Sequence, residues 1–220
     1  MLSAPFYELD GQIAVDLPGA RAVFTTSSWG DLRETWLEVA ERLTARIVKA
    51  RQVHGARVIT IVEARDSLSV DTDADGIATA TEGLAPTILA ADCVPIVVAA
   101  PSAVATLHAG WRGLEAGVIA NGVAAIGALV GDAQLTAAVG PAAGACCYRV
   151  GSEMHERFPG FGTGPNLDLK AIARAQLVEA GVATVHDTGI CTICSNPALF
   201  FSYRRDGAST GRQGAIAWLT

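Results

Sequence analysis

Residues 92–113 read DCVPIVVAAPSAVATLHAGWRG, and two apolar runs in this stretch flank a short turn. Such a pattern predicts an antiparallel β-hairpin with its turn centred near Ala100-Pro101. Cross-strand partners in a hairpin have residue numbers with a constant sum, so Cys93 is predicted to lie opposite His108. Directly opposed Cβ atoms are about 4.5–5.5 Å apart, close enough for two ligands of one metal ion or for a Cys–His pair. A register shifted by two residues would leave the two side chains diagonal and still within reach.

The rest of the chain consists mainly of short apolar runs with a few helical segments between them. Ten runs rich in Val, Ile and Thr are predicted strands: Ala22–Thr25, Ile47–Val53, Val58–Val62, Ile77–Thr81, Thr87–Ala91, Val94–Ala99, Val104–Leu107, Leu135–Val139, Thr184–His186 and Ala215–Leu219. Helical periodicity predicts one helix after the capping signal Asp31-x-x-Glu34, a second at Gly113–Val130 and a third at Asp168–Ala180. Because strands outnumber helices and often follow one another directly, the sequence predicts an α+β fold with mixed sheets. It shows no repeat and no linker-like segment, so residues 1–220 are expected to form a single domain.

Composition argues against several classes of function. The chain of 220 residues has 16 Lys and Arg against 22 Asp and Glu, and this net charge of −6 argues against a nucleic-acid partner. The most hydrophobic stretch, Ala85–Val98, is interrupted by Pro86, Asp92 and Pro95, so no membrane span is expected. The first residues lack a signal-peptide pattern and the five cysteines are an odd number, which predicts reduced thiols and a cytoplasmic protein.

Three residues are candidate metal ligands. His54, Cys93 and His108 each lie at the end of a predicted strand, next to glycine-containing loops that allow close approach of the backbone. A Cys/His/His set is what a catalytic zinc ion uses, with a fourth position open for water. Arg112 follows His108 by four residues and offers a forked cation for a carboxylate or phosphate. The alternative is that these are structural histidines and a small buried thiol.

Two further patterns resemble motifs from other proteins. Residues 71–82, DTDADGIATATE, match the calcium loop of an EF-hand, but no amphipathic helix flanks them, so a turn into the strand Ile77–Thr81 is predicted instead. The spacing Cys191-x-x-Cys194 is typical of redox proteins, but Asn196-Pro197 follows where a thioredoxin helix should run. Together with Cys146-Cys147, these cysteines leave a second structural zinc site as an alternative to unlinked thiols.

Several blocks of the sequence resemble the YfiH-like family, also called the multicopper polyphenol oxidase (laccase-like) family. They run in order from about Ala22 to Leu219 and include Gln52-Val53-His54-Gly55, Ala91-Asp92-Cys93-Val94-Pro95, His108-Ala109-Gly110-Trp111-Arg112-Gly113, Gly140-Pro141, Cys146-Cys147-Tyr148-Arg149-Val150-Gly151, Phe200-Phe201-Ser202-Tyr203-Arg204-Arg205-Asp206-Gly207 and Thr210-Gly211-Arg212-Gln213. The resemblance implies an α/β/β/α layered fold shared with Cys–His toxin deamidases. It also implies a zinc ion bound by His54, Cys93 and His108, while the older laccase name implies copper.

The resemblance further implies phosphorolysis of adenosine, inosine and methylthioadenosine and deamination of adenosine. The partners would then be a small-molecule nucleoside and phosphate, and the protein a monomer or weak homo-oligomer. The predicted catalytic residues are Cys93, His108, Asp92 and Arg112, and the predicted substrate- and phosphate-binding residues are Gln52, Arg112, Arg204, Arg205 and Arg212. Within this set Asp92 could orient a metal ligand or move a proton. The pair Arg204-Arg205 could equally form a solvated turn.

Other functions stay open at this point. A metal-free Cys93–His108 pair could act as a hydrolase, and some family members resemble an enzyme that removes L-serine from a muramyl precursor of peptidoglycan. Polyphenol oxidation is weaker, because it needs several copper centres and the chain has four His in all. The sequence also departs from the family pattern: it lacks the Arg usual near Ser27, and it has Arg149 where the family has Glu. These departures keep a non-catalytic binding protein as a third class.

Overall fold

A computed structural model describes residues 2–63 and 68–220, and these residues form fifteen strands and six α-helices. The strands are β1 (Tyr7–Leu9), β2 (Gln12–Leu17), β3 (Ala20–Phe24), β4 (Arg46–Arg51), β5 (Val58–Thr60), β6 (Leu68–Asp73), β7 (Gly76–Thr79), β8 (Leu84–Ala90), β9 (Val94–Ala100), β10 (Ala103–Ala109), β11 (Thr136–Val139), β12 (Gly162–Thr163), β13 (Asn166–Leu167), β14 (Thr184–Asp187) and β15 (Gln213–Leu219). The helices are α1 (Leu32–Leu43), α2 (Trp111–Ala116), α3 (Val118–Val130), α4 (Ser152–Arg157), α5 (Leu169–Glu179) and α6 (Tyr203–Asp206), with a 3₁₀ turn at Ser27–Trp29.

The strands form two large mixed sheets. One has seven strands in the order β1-β2-β3-β15-β8-β4-β6, and the other has six in the order β14-β11-β9-β10-β7-β5. Most neighbours are antiparallel, but β4 runs parallel to β6 and β8, β5 to β7, and β11 to β14. The predicted α+β class with mixed sheets is confirmed.

Four apolar clusters of the described residues fill the spaces between four layers in a single domain, and two of these clusters lie between the sheets. On the outer face of the seven-stranded sheet, Val39 of α1 packs in one cluster with Ile216. Between the sheets, Phe24 shares a cluster with Val97 of the six-stranded sheet. Beyond that sheet, α3 and α5 cover Leu107 and its neighbours. Because side chains alternate along each strand, each sheet has apolar side chains on both of its faces and packs against a layer on either side. The α/β/β/α layering is therefore confirmed.

The helix predictions hold with one correction. Asp31 caps α1 by accepting a hydrogen bond from the backbone N–H of Arg33, and Asp168 caps α5 in the same way through Ala171. The single helix predicted at Gly113–Val130 is wrong, because two helices, α2 and α3, meet at Gly117. That residue has a φ of 88°, a left-handed conformation that ends one helix and lets the chain turn into the next.

The β9–β10 hairpin forms, but its register differs from the prediction by two residues. His108 lies opposite Pro95 rather than Cys93, because the connection is the two-residue turn Pro101-Ser102 between Ala100 and Ala103. Proline sets the φ that the first position of such a turn needs. Side chains alternate along a strand, so Cys93 and His108 still project from the same face, diagonally across the hairpin. That face is turned toward the seven-stranded sheet.

The calcium-loop pattern of residues 71–82 folds as strands. Asp71 and Asp73 belong to β6 and pair with Arg51 at the surface, whereas Asp75 turns inward before β7. The predicted strand after the loop is confirmed as β7, but residues 71–73, predicted to be part of the turn, form the end of β6. Within residues 2–63 and 68–220, none of the helices has the length and apolar character to cross a membrane.

Candidate metal centre and its cavity

Three elements bring the predicted ligands together at one end of the two sheets. His54 lies in the loop after β4, Cys93 directly precedes β9, and His108 lies near the end of β10. One ligand atom of each lies within 4.8 Å of the other two. Zinc bonds of about 2.0–2.3 Å in a tetrahedron place ligand atoms roughly 3.3–3.8 Å apart, so a small inward movement would enclose an ion. The predicted triad is thus assembled in the fold.

Asp75 holds two of the three ligands in place. Its carboxylate is fully buried, and its Oδ1 lies 2.8 Å from Nδ1 of His108 and accepts a hydrogen bond from the backbone N–H of His54. Its Oδ2 accepts from the N–H groups of Val53 and Gly55. The contact with Nδ1 leaves Nε2 of His108 for the metal, the arrangement common behind zinc-binding histidines. The same bonds hold His54 at a φ of 60°, which an L-residue rarely adopts unaided.

Gly110 provides the space that the ligands need. A Cβ atom at this position would lie 2.9 Å from Sγ of Cys93 and 3.3 Å from Cδ2 of His54. Any larger residue would push these two groups apart. The donor set, the supporting carboxylate and the glycine all fit a metal ion with a position open toward solvent.

As an unmetallated pair, Cys93 and His108 favour the thiolate–imidazolium form. Burial raises the pKa of the Cys93 thiol, but the charge of His108 and hydrogen bonds from His108 and His54 outweigh it and lower that pKa to about 6. Burial lowers the pKa of His108, but the Cys93 thiolate and Asp75 raise it more, to about 9. The same thiolate is the form that binds a metal ion.

The centre opens into a cavity of about 780 Å³ with a cationic wall. Arg33, Arg112, Arg204 and Arg212 line it, and Asp92 is the one carboxylate on the wall among the described residues. The guanidinium of Arg112 stacks 4.2 Å from the ring centroid of Trp111. That of Arg204 lies 4.9 Å from the centroid of Tyr148. Flat cations held against rings in this way can bind a phosphate in a fixed orientation.

The remaining predicted residues differ in their positions. Gln52 lines the cavity, but its amide exchanges two hydrogen bonds with the backbone of Leu89. Arg205 does not line the cavity, since its guanidinium donates to the carbonyls of Thr192, Ile193 and Phe200. These contacts show a positioning role for both side chains, and their binding of substrate stays a prediction.

Asp92 supports the loop beside Cys93. Its Oδ1 accepts a hydrogen bond from the hydroxyl of Thr192, and its Oδ2 accepts from the hydroxyl of Ser202 and the backbone N–H of Arg204. With three donors on its two oxygens, this carboxylate joins the Cys93 loop to the start of α6. Its predicted part in proton transfer remains untested.

Several residues of the site escaped the sequence predictions. The sequence predicts only a turn at Asp75, whose hydrogen-bond partners lie 20 to 33 positions away along the chain. Arg33, Trp111, Tyr148 and Tyr203 also line the cavity. Both Tyr148 and Tyr203 belong to the blocks that resemble the family, which was the available signal for them. Arg33 lies one residue inside α1, and no pattern marked it.

Comparison with known proteins gives concordant matches. Residues 31–220 match the family described as multi-copper polyphenol oxidoreductase laccase. A protein of Xylella fastidiosa named purine nucleoside phosphorylase is 38% identical over 187 residues, which cover 77% of this chain and 70% of the relative. One of Pseudomonas aeruginosa with the same name is 37% identical over 203 residues, covering 86% and 80%.

Solved structures agree with these sequence matches. YlmD from Geobacillus stearothermophilus superimposes with a TM-score of 0.82 at 30% identity, covering 97% of this chain and 98% of that one. The hypothetical protein YfiH of Bacillus licheniformis gives a TM-score of 0.85 at 25% identity, covering 99% and 100%. The layered fold is therefore shared over nearly the whole chain.

Proposed function

We propose that this chain, which belongs to the multi-copper polyphenol oxidoreductase laccase family, is a purine nucleoside phosphorylase. We propose further that it holds zinc through His54, Cys93 and His108. Relatives at 37–38% identity carry the name purine nucleoside phosphorylase. We place it in the cytoplasm, where its free cysteines would stay reduced, as a monomer or weak homo-oligomer.

The observation that carries the proposal is the cationic wall beside the triad. The cavity has a net positive charge, because Arg112, Arg204 and Arg212 stand against one carboxylate among the described lining residues, while Arg33 is ion-paired with Asp31. Deamination of adenosine consumes water and has no need of such a surface, whereas phosphorolysis consumes inorganic phosphate. The volume of about 780 Å³ lies within the usual range of roughly 300–1,000 Å³ for small-molecule sites.

In the proposed reaction the arginines of the cavity wall bind phosphate, and the metal triad acts on the nucleoside. An oxygen of phosphate forms a bond to C1′ of the ribose while the bond from C1′ to N9 breaks. The electron pair stays on the purine, which takes up the proton that the phosphate loses, and the products are free base and ribose 1-phosphate. Arg112, Arg204 and Arg212 would orient the phosphate and offset its charge. A zinc ion bound to the triad would supply a Lewis acid that polarises the substrate.

The purine needs a flat apolar surface, and the wall offers one. Tyr203 lines the cavity with 53% of its surface exposed, so its ring is free to lie against a base. Arg33 lines the same cavity, but its guanidinium is ion-paired with Asp31 and donates to the carbonyl of Thr210, so it does not replace the family's usual Arg near Ser27.

Zinc fits the site better than copper. Two His and one Cys also bind copper in electron-transfer proteins, but those sites add a weak axial Met, Gln or backbone oxygen. Gln52 lies on the cavity wall, but both ends of its amide are hydrogen-bonded to the backbone of Leu89. Met154 is buried in the core between helix and sheet, and no Met lies on the described part of the cavity wall. His155 and His186 are also absent from that wall, so it offers no ligands for further copper ions. The copper chemistry of a laccase is therefore the weaker proposal.

A second candidate follows from the Cys93–His108 pair. The lowered pKa of Cys93 gives a nucleophilic thiolate in metal-free protein, as in Cys–His hydrolases. The reaction of this second candidate is the hydrolytic removal of L-serine from a muramyl precursor of peptidoglycan. A zinc ion on Sγ would suppress this nucleophile. The two proposals therefore require opposite metal states.

A nucleoside panel with and without phosphate tests the proposal. Zinc-loaded protein is incubated with adenosine, inosine or methylthioadenosine, and free base, ribose 1-phosphate and ammonia are measured separately. We expect base release to require phosphate, and Cys93→Ala to abolish it. Thr220→Ala, at the exposed last residue of the sequence, is the matched control and should keep full activity. Turnover of the muramyl precursor by metal-free protein, with no nucleoside turnover by the zinc form, would contradict the proposal.

A further inference from the structure

Four cysteines outside the cavity bring their sulfur atoms together. Cys146 and Cys147 lie in the segment between β11 and α4, and Cys191 and Cys194 lie in the segment between β14 and α6. The four Sγ atoms, which we name the thiol quartet, all lie within 4.8 Å of one another. Sγ of Cys146 and Sγ of Cys194 are 3.4 Å apart. Nothing in the proposed reaction uses these thiols.

The spacing of the thiol quartet matches a tetrahedral metal site. Four Zn–S bonds of about 2.3 Å place neighbouring sulfurs about 3.8 Å apart. This distance lies between the 3.4 Å that separates Sγ of Cys146 from Sγ of Cys194 and the 4.8 Å within which all four sulfurs lie. The turn at residues 145–147, closed by a hydrogen bond from the N–H of Cys147 to the carbonyl of Gly144, lets two adjacent side chains converge. A Cys₄ set selects zinc or iron over harder cations.

The backbone around Cys191 is arranged for a thiolate. The N–H of Gly144 donates to its Sγ at 3.2 Å, and the N–H groups of Ile193 and Cys194 also point at it. Such N–H donors stabilise negative charge on sulfur and so favour the form that binds metal. A Cβ atom on Gly144 would lie 3.2 Å from Sγ of Cys146 and 3.3 Å from Sγ of Cys191, so the glycine gives the two sulfurs room.

We propose that the thiol quartet binds a second, structural zinc ion. It would join residues 140–151 to residues 188–202, two long segments without a helix or a strand in the structure. Between them the backbone provides a bridge from Ala142 to Cys191 and a few hydrogen bonds. A metal ion here would supply the missing cross-link.

Both segments that the second zinc ion would join also contact the cavity or the residues that support it. Tyr148, next to Cys147, lines the cavity wall. Thr192, next to Cys191, donates the 2.6 Å hydrogen bond that holds Asp92 beside Cys93. The second ion would thus position the wall and take no part in the reaction. This inference stands independently of the substrate proposed above.

Metal counting separates the two sites. Protein purified under reducing conditions from zinc-supplemented medium is compared with Cys93→Ala, Cys194→Ser and the double variant by elemental analysis per chain. Ser195→Ala is the matched control, since its hydroxyl has no partner among the described residues. We expect two zinc ions in wild-type and control protein, one in each single variant and none in the double variant.

Cobalt substitution keeps the test valid if Cys194→Ser fails to fold. The Cys93→Ala protein retains the thiol quartet, so its cobalt form should show the intense thiolate charge-transfer bands of a tetrahedral Cys₄ site. A wild-type protein with one zinc ion that Cys93→Ala loses entirely would overturn the proposal. So would a Cys146–Cys194 disulfide found by mass spectrometry in protein alkylated at lysis, which would make the quartet a redox pair.

Discussion

Replacing Asp75 with Asn tests how the candidate centre is held together. In the wild-type protein each carboxylate oxygen accepts from two donors: Oδ1 from His108 and the His54 backbone, Oδ2 from the backbones of Val53 and Gly55. The Asp75→Asn side chain has one acceptor oxygen, and its NH₂ group faces two of the four donors. Each lost hydrogen bond to a buried charge costs about 1.5–3 kcal/mol, so the free energy of unfolding should fall by about 3–6 kcal/mol.

The affinity of the triad for zinc should also be lower in Asp75→Asn than in the wild-type protein. Changing the partner behind a metal-binding His typically weakens metal binding about 10–100-fold. Urea unfolding of metal-free protein measures the first effect, and competition with a chromophoric chelator measures the second. Asp73→Asn is the matched control, because Asp73 lies two residues away and pairs with Arg51 at the surface. It should change stability by less than about 0.5 kcal/mol.

The pH dependence has a definite sign. Burial raises the pKa of the Asp75 carboxyl, but hydrogen bonds from His108 and from the amides of Gly55 and Val53 outweigh it, so the folded pKa lies below 3.8. A lowered pKa contributes stability above the unfolded value and loses it as the pH falls through the folded one. The gap between wild type and Asp75→Asn should therefore shrink below pH 3.8, where the carboxylate takes up a proton. It should also shrink as the pH rises from about 6.5 toward 9, because Asp75 helps to raise the pKa of His108 to about 9 and the proton on His108 is lost there. Equal stability and equal zinc affinity at neutral pH would refute this account of the site.

Three further predictions concern the ligands and the cavity. Gly110→Ala should abolish tight zinc binding, measured by elemental analysis after gel filtration, because its Cβ would meet Sγ of Cys93 at 2.9 Å; Gly127→Ala, with open space around it, should bind zinc normally. In zinc-stripped protein, the alkylation rate of Cys93, followed by peptide mass spectrometry, should rise with a midpoint near pH 6 and be suppressed by zinc; a midpoint near 9 would contradict the ion pair. Arg112→Ala should raise the KM for phosphate about 10–100-fold, because the loss of charged hydrogen bonds costs about 1.5–3 kcal/mol. Arg42 is exposed on α1, so Arg42→Ala should leave this KM unchanged.

Local patterns in the sequence predicted much of the fold. The layered class and most strands of the two large sheets were accessible from short apolar runs, because strands buried on both faces leave a strong local signal. Strands β1, β2 and β6 of the seven-stranded sheet are not among the predicted strands. Tyr7–Leu9 and Leu68–Asp73 mix polar and apolar residues at the two edges of the seven-stranded sheet, and Gln12–Leu17 lies next to one edge, so partner strands decide the structure there. Turn geometry, which local composition does not fix, shifted the predicted hairpin register by two residues.

The candidate site was predictable where its chemistry is local. Cys93 and His108 share a hairpin, so spacing alone predicts that they lie within reach. His54 is a candidate from its position at a strand end, and the blocks that resemble the family add it to the ligand set. Asp75 was beyond that reasoning, because its role arises from tertiary contacts with the loop after β4 and with β10. The calcium-loop pattern around it also suggested another use for its carboxylate. Residues that position ligands are harder to predict than the ligands.

Simultaneous measurement of hypoxanthine and ribose 1-phosphate from inosine tests the central claim most directly. We expect zinc-loaded protein to form the two products in equal amounts in the presence of phosphate. Both should disappear when a chelator removes the zinc and return when zinc is restored. Protein with His54, Cys93 and His108 intact and zinc fully bound that forms neither product would contradict the account.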